Sequence, residues 1–102
     1  MLNKRSQERE ERIFSLKVES EPGLLARVEL IFRRQRAPIR SFFFEREEGK
    51  AAALTIVATA SGEAANLLRK QLMRLHDVLE AHELAEPPAA AESPFTFEEK
   101  TA

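Results

Sequence analysis

The spacing of apolar positions along the chain switches between a period of two and a helical period, twice over. Residues 1–11 come first, mostly charged and polar with no apolar period, and read as a mobile arm. From Arg12 onward Phe14, Leu16 and Val18 alternate with Ser15, Lys17 and Glu19, the pattern of a strand with one buried face. Ser20-Glu21-Pro22-Gly23 interrupts it. Leu24, Leu25, Val28, Ile31 and Phe32 then fall on one face of a helix. Pro22 suits a first helical position, where its missing N–H costs nothing, and Ser20 or Glu21 is placed to cap. The helix is expected to end near Arg36, because Pro38 biases Ala37 away from helical geometry.

A second strand is predicted from Ile39 to Glu47. Strict alternation puts Phe43 on one face with Ile39 and Ser41, and Phe42 and Phe44 on the other with Arg40 and Arg46. A polar hairpin connection, Glu45 to Lys50, leads to a third strand from Ala51 to Ala60. Leu54, Ile56 and Ala58 share one of its faces. Ser61 is placed to cap a second helix that reaches about Leu75, with Ala65, Leu68, Leu72 and Leu75 as its stripe. A short last strand, Val78 to Leu84, has blurred alternation, as edge strands can. The folded unit is expected to span residues 12–86. Residues 87–102 read as a Pro/Ala-rich tail.

The order β-α-β-β-α-β defines an α+β, ferredoxin-like sandwich. Its four-stranded antiparallel sheet carries both helices on one face. Right-handed crossovers place the first and third strands centrally and the second and fourth at the edges. An edge strand rich in Phe invites pairing with a second copy, so Phe42, Phe43 and Phe44 are the expected homodimer interface. The other reading is that the chain's own arm or tail covers Phe42 and Phe44.

Composition narrows the function. The formal net charge of -1 gives no global basic field for nucleic acid. The third strand, Ala53-Leu54-Thr55-Ile56-Val57-Ala58, lacks the aromatics on which RNA-recognition modules of this strand order stack bases. Cysteine is absent, which removes disulfides, thiolate catalysis and cysteine-zinc sites and suits a cytoplasmic location. No apolar run approaches the ~20 residues of a membrane span. His76 and His82 show no spacing for a metal or a nucleophile, and no Gly-rich phosphate loop is present. No catalytic residue, metal or cofactor is therefore expected. Arg27, Arg33, Arg34, Arg36 and Arg40 crowd the first helix and its exit. They read first as a solvated face and second as a surface for an acidic partner. The first helix begins at the Pro-Gly turn, and its free N–H groups suit a carboxylate or phosphate.

The stretch Phe14-Ser15-Leu16-Lys17-Val18-Glu19-Ser20-Glu21-Pro22-Gly23-Leu24-Leu25-Ala26-Arg27-Val28 resembles the ACT-domain family. Leu30-Ile31-Phe32-Arg33-Arg34, Ile39-Arg40-Ser41-Phe42, Leu54-Thr55-Ile56-Val57 and Lys70-Gln71-Leu72-Met73-Arg74-Leu75-His76-Asp77-Val78-Leu79 continue the likeness. Within that family the last segment is similar to the ending "K-Q-L-x-K-L-x-D-V" of acetolactate synthase small regulatory subunits. The resemblance runs from about Arg12 to Leu84, the size of the short, single-domain small subunits. It implies a non-catalytic homodimer that binds and activates the thiamine-diphosphate-dependent large subunit of acetolactate synthase. Feedback by valine or another branched-chain amino acid is common in that family. Effectors there sit at the dimer interface, near the loop after the first strand and the turn before the second. Carried over, this implies Ser20, Glu21, Pro22, Gly23, Leu24, Leu25, Pro38 and Ile39 as effector contacts. Gly23 matches the family glycine whose backbone approaches the ligand. Ser20 and Pro38 stand where the family commonly has asparagine, and Arg36 where it has glycine. The side chains at 20 and 38 thus offer one hydroxyl and no amide.

Overall fold

The computed structural model describes residues 8–19 and 21–85, and the backbone of residues 97–98. The elements are β1 (Glu10–Glu19), α1 (Leu24–Arg34), β2 (Ile39–Arg46), β3 (Ala51–Ala60), α2 (Gly62–Leu72), β4 (Val78–Leu84) and a short β5 (Phe97–Glu98). The sheet order is β4-β1-β3-β2-β5, with every pairing antiparallel. The first four strands and two helices form the expected ferredoxin-like sandwich. β5 extends the sheet beyond β2.

One uninterrupted register joins β1 and β3, from Glu10 opposite Ala60 to Glu19 opposite Ala51. Alternation therefore sorts these strands cleanly. Phe14, Leu16 and Val18 meet Ile56, Leu54 and Ala52 on the face beneath the helices, and all six are buried. Leu24, Val28, Ile31 and Phe32 of α1 and Ala65, Leu68 and Leu72 of α2 complete the same core. Phe14 and Phe32 meet edge to face, with ring centroids 5.4 Å apart.

The outer strands each slip by one residue. In β2 the pairing shifts between Ile39, opposite Ala58, and Ser41, opposite Val57. The extra residue, Arg40, flips the parity after it. Ile39, Phe42 and Phe44 consequently pack against the core together, while Phe43 lies opposite Thr55 on the open face. This corrects the strict alternation, which grouped Ile39 with Phe43. In β4 the shift falls at Leu79, between the pairs Lys17–Glu80 and Val18–Val78. It lets Val78 and Ala81 both reach the core, and explains the blurred alternation of that strand.

The helices are shorter than the periodicity suggests. Ser61 caps α2 as expected, accepting the Ala64 N–H at 3.0 Å. α2 stops at Leu72, because Arg74 and Leu75 donate to the third residue back and tighten the chain into a turn. Pro22 and Gly23 precede α1 rather than begin it. The Leu24 N–H closes a turn onto the Glu21 carbonyl at 3.1 Å, with Gly23 at φ 85°, ψ −6°. Those are the angles of the third residue of a type II turn, with Pro in the second place. Among the described residues no side chain caps α1.

Candidate functional site at the two ends of the first helix

β1 runs from the end marked by Ala60 to the end marked by Ala51, α1 runs back, and β2 begins opposite Ala58. Glu21, Pro22, Gly23, Leu24 and Leu25 therefore lie at one end of the domain, and Pro38 and Ile39 at the other. The eleven residues of α1 separate them by about 16 Å. Within one chain the structure does not bring the two groups together. Ser20 lies outside the described residues, as do most of the arm and tail assigned from sequence.

At the N-terminal end, Leu24 is buried in the core and Leu25 is exposed. The N–H groups of Leu25 and Ala26 have no partner among the described residues, because the chain turns away at Pro22. The dipole of α1 adds partial positive charge there. A Cβ at position 23 would come within 3.2 Å of Arg27 Nη1, besides straining the backbone at positive φ. This end thus presents a backbone cradle beside a glycine at positive φ, where a side chain would strain the backbone and press on the tip of Arg27.

The turn between α2 and β4 stands beside this cradle. The Asp77 carbonyl accepts the Glu19 N–H at 2.8 Å, and its fully buried carboxylate pairs through Oδ2 with Arg27. His76 Nε2 lies 2.7 Å from Asp77 Oδ1. Periodicity gave no signal of this cluster, because Asp77 sits in a turn and its partner is on α1. The Lys70-to-Leu79 likeness covers the residue without assigning it a role.

The C-terminal end has opposite chemistry. Ala37 N–H bonds to the Phe32 carbonyl and Arg36 N–H to the Arg33 carbonyl, both at 2.9 Å. This is a Schellman ending, in which the residue at position 36 must adopt left-handed geometry. Arg36 does so at φ 56°, the only non-glycine residue with positive φ among those described. Its carbonyl accepts from the Arg9 guanidinium. The exit of α1 opens into a cleft of about 420 Å³, floored by Phe32, Ala37, Pro38 and Ile39 and rimmed by Arg9, Arg33 and Arg36. Glu29 also lines it and pairs with Arg33 at 2.9 Å. The Arg36 guanidinium has no ion-pair partner among the described residues. Apolar floor and cationic rim suit a small molecule bearing both a hydrocarbon group and a carboxylate.

The other expected groups resolve separately. Arg27 and Arg40 are paired, with Asp77 and Glu11 respectively. With Arg33 also paired, three of the five cationic side chains are engaged inside the domain. His82 lies 3.2 Å from Glu80 on β4. Phe42 and Phe44 pack against the core and are only half buried, and β5 pairs with β2 at Ser41 and Phe42. The chain's own C-terminal segment thus covers part of the edge assigned from sequence to a second copy. No described helix is long and apolar enough to cross a membrane.

The fold is a ferredoxin-like α+β sandwich whose first helix is entered through a glycine turn. Neither a protein-family sequence model nor a curated protein sequence matches the chain. Solved structures do match. The ACT domain of GTP pyrophosphokinase from Chlorobium tepidum aligns with TM-score 0.65 and 12% identity, over 76% of this chain and 100% of that one. The acetolactate synthase small subunit from Thermotoga maritima aligns with TM-score 0.66 and 22% identity, over 78% of this chain and 50% of that one. A homoserine dehydrogenase from Thiobacillus denitrificans aligns with TM-score 0.67 and 13% identity, over 78% of this chain and 18% of that one. At these identities the likeness is one of fold. The chain spans half of the small subunit and less than a fifth of the dehydrogenase.

Proposed function

We propose that this chain is a non-catalytic, amino-acid-responsive regulatory domain that works as a homodimer. The observation that carries the reading is the separation of the two effector loci by the length of α1. A second copy, placed antiparallel along α1 and β2, sets the cradle of one chain against the cationic cleft of the other. The cradle then offers the N–H groups of Leu25 and Ala26 beside Gly23. The partner's cleft offers an apolar floor and a free guanidinium. A branched-chain amino acid has the carboxylate and the hydrocarbon group that such a composite site would hold. The finer reading is that the domain regulates acetolactate synthase by docking on its large subunit. The Lys70-to-Leu79 motif and the fold shared with the Thermotoga maritima small subunit support it.

Two experiments test the two levels. Calorimetric titration with valine, leucine and isoleucine is expected to show saturable binding of at least one; a flat response to all three overturns the sensing role. Mixing the chain with a purified acetolactate synthase large subunit is expected to give a co-purifying complex of raised specific activity. No complex and no activation overturns the docking role and leaves a sensor for another enzyme.

A further inference from the structure

The turn before α1 and the turn before β4 place Glu21, His76 and Asp77 together, with one donor atom from each lying within 4.8 Å of the others. We propose that these three side chains bind a divalent first-row transition metal ion, with zinc as the ion to test. The first argument is the donor set. One imidazole and two carboxylates suit zinc and its neighbours, whereas calcium and magnesium favour all-oxygen sites.

The second argument is independent of the grouping. Asp77 is fully buried, yet its Oδ1 accepts no hydrogen bond among the described residues. His76 Nε2 stands 2.7 Å away as an ion-pair contact rather than as a hydrogen-bond donor. A buried carboxylate oxygen left without a hydrogen-bond donor is costly, so native structures rarely keep one without a purpose. A bound cation supplies the missing partner. Meanwhile Oδ2 is held by Arg27 and the Asp77 carbonyl by the Glu19 N–H, so the inner ligand is fixed in place before any ion arrives.

Charge is compatible. Two carboxylates and a neutral imidazole leave room for a divalent ion, and Arg27 is turned to the opposite oxygen of Asp77. Donors around zinc sit about 3 to 3.5 Å apart, so the spread must close by an ångström or more. Side-chain rotation of Glu21, and of the His76 ring at 83% exposure, supplies that movement. Three protein ligands leave a coordination position for water. The consequence is a clamp joining the entry of α1 to the turn before β4, both at the cradle end of the domain.

The test uses the full chain without an affinity tag, stripped with EDTA and exchanged into chelator-free buffer, and titrated with zinc chloride by calorimetry. One ion per chain is expected, with Tm rising by about 10 °C at a hundredfold excess over Kd, reversed by EDTA. His76→Ala, at an exposed ring, is expected to remain folded without metal, read by its own melt, and to weaken zinc binding about tenfold or more. Glu21→Gln is expected to weaken it similarly, and His82→Ala not at all. No zinc binding by the unmodified chain overturns the proposal and leaves His76 and Asp77 as an ion pair. Equal binding by the His76→Ala chain overturns it too, by placing the ion elsewhere. The proposal stands or falls separately from amino-acid binding.

Discussion

The two ends of α1 solve opposite problems with the same backbone conformation. At the entry, Gly23 takes φ 85° and leaves N–H groups open; at the exit, Arg36 takes φ 56° and the N–H groups of Gln35, Arg36 and Ala37 are all bonded. Glycine at the entry avoids the strain of positive φ and leaves the tip of Arg27 where it lies. Arginine at the exit is tolerated at a cost of about 1–2 kcal/mol in backbone strain. What it gains is a cation at the mouth of an apolar cleft. The comparison teaches that one end leaves backbone donors open while the other presents charge over an apolar floor.

The largest expected break in this comparison comes from Arg27. Arg27→Ala strands the buried Asp77 carboxylate at the cradle end. It is expected to destabilise the domain by about 2–4 kcal/mol, below the full value for a buried pair because Arg27 is itself half exposed. Urea denaturation reads it directly. A loss under 1 kcal/mol would mean that Arg27 contributes little to that turn.

Substitution at the two left-handed positions sharpens the contrast, because the signs differ. Gly23→Ala is expected to cost about 1 kcal/mol, the strain of left-handed alanine less its smaller unfolded-state entropy. Arg36→Gly is expected to stabilise by about 0.5 kcal/mol through relief of the same strain, and to weaken binding of any carboxylate ligand in the cleft. Thermal melts of the two variants beside the parent chain measure both.

The smallest expected effect concerns the edge. β5 occupies β2 at Ser41 and Phe42, where a second copy would pair. A chain ending at Glu86 is expected to dimerise a few-fold more tightly, measured by sedimentation, if tail and partner compete for that edge. An unchanged dissociation constant would move the contact between copies to α1 or the open face.

Much of the fold was legible because β1 and β3 keep strict alternation over an unbroken register, and Ser61 is a conventional cap. Phe42 to Phe44 were not, since a one-residue bulge at Arg40 exchanges the faces without leaving a compositional mark. The exit of α1 was obscured for a related reason. A Schellman ending is read from glycine, and here an arginine holds the position. The loop after β1 and the turn before β2 were legible as two segments, but their placement at opposite ends of the domain follows from topology, which only the assembled sheet makes plain. The Glu21, His76 and Asp77 cluster depends on two distant turns meeting, and neither turn announces the other.

The central claim is that cradle and cleft belong to one site shared between two copies. Complementation tests it most directly, with Gly23→Ala damaging the cradle and Arg36→Glu reversing charge at the cleft. Each variant alone is expected to lose binding of the amino acid that the unmodified chain binds. Mixed in equal amounts and allowed to exchange subunits, half the dimers regain one intact site, restoring about a quarter of full capacity. Calorimetric capacity that stays at zero in the mixture, with exchange confirmed by sizing, would contradict the account.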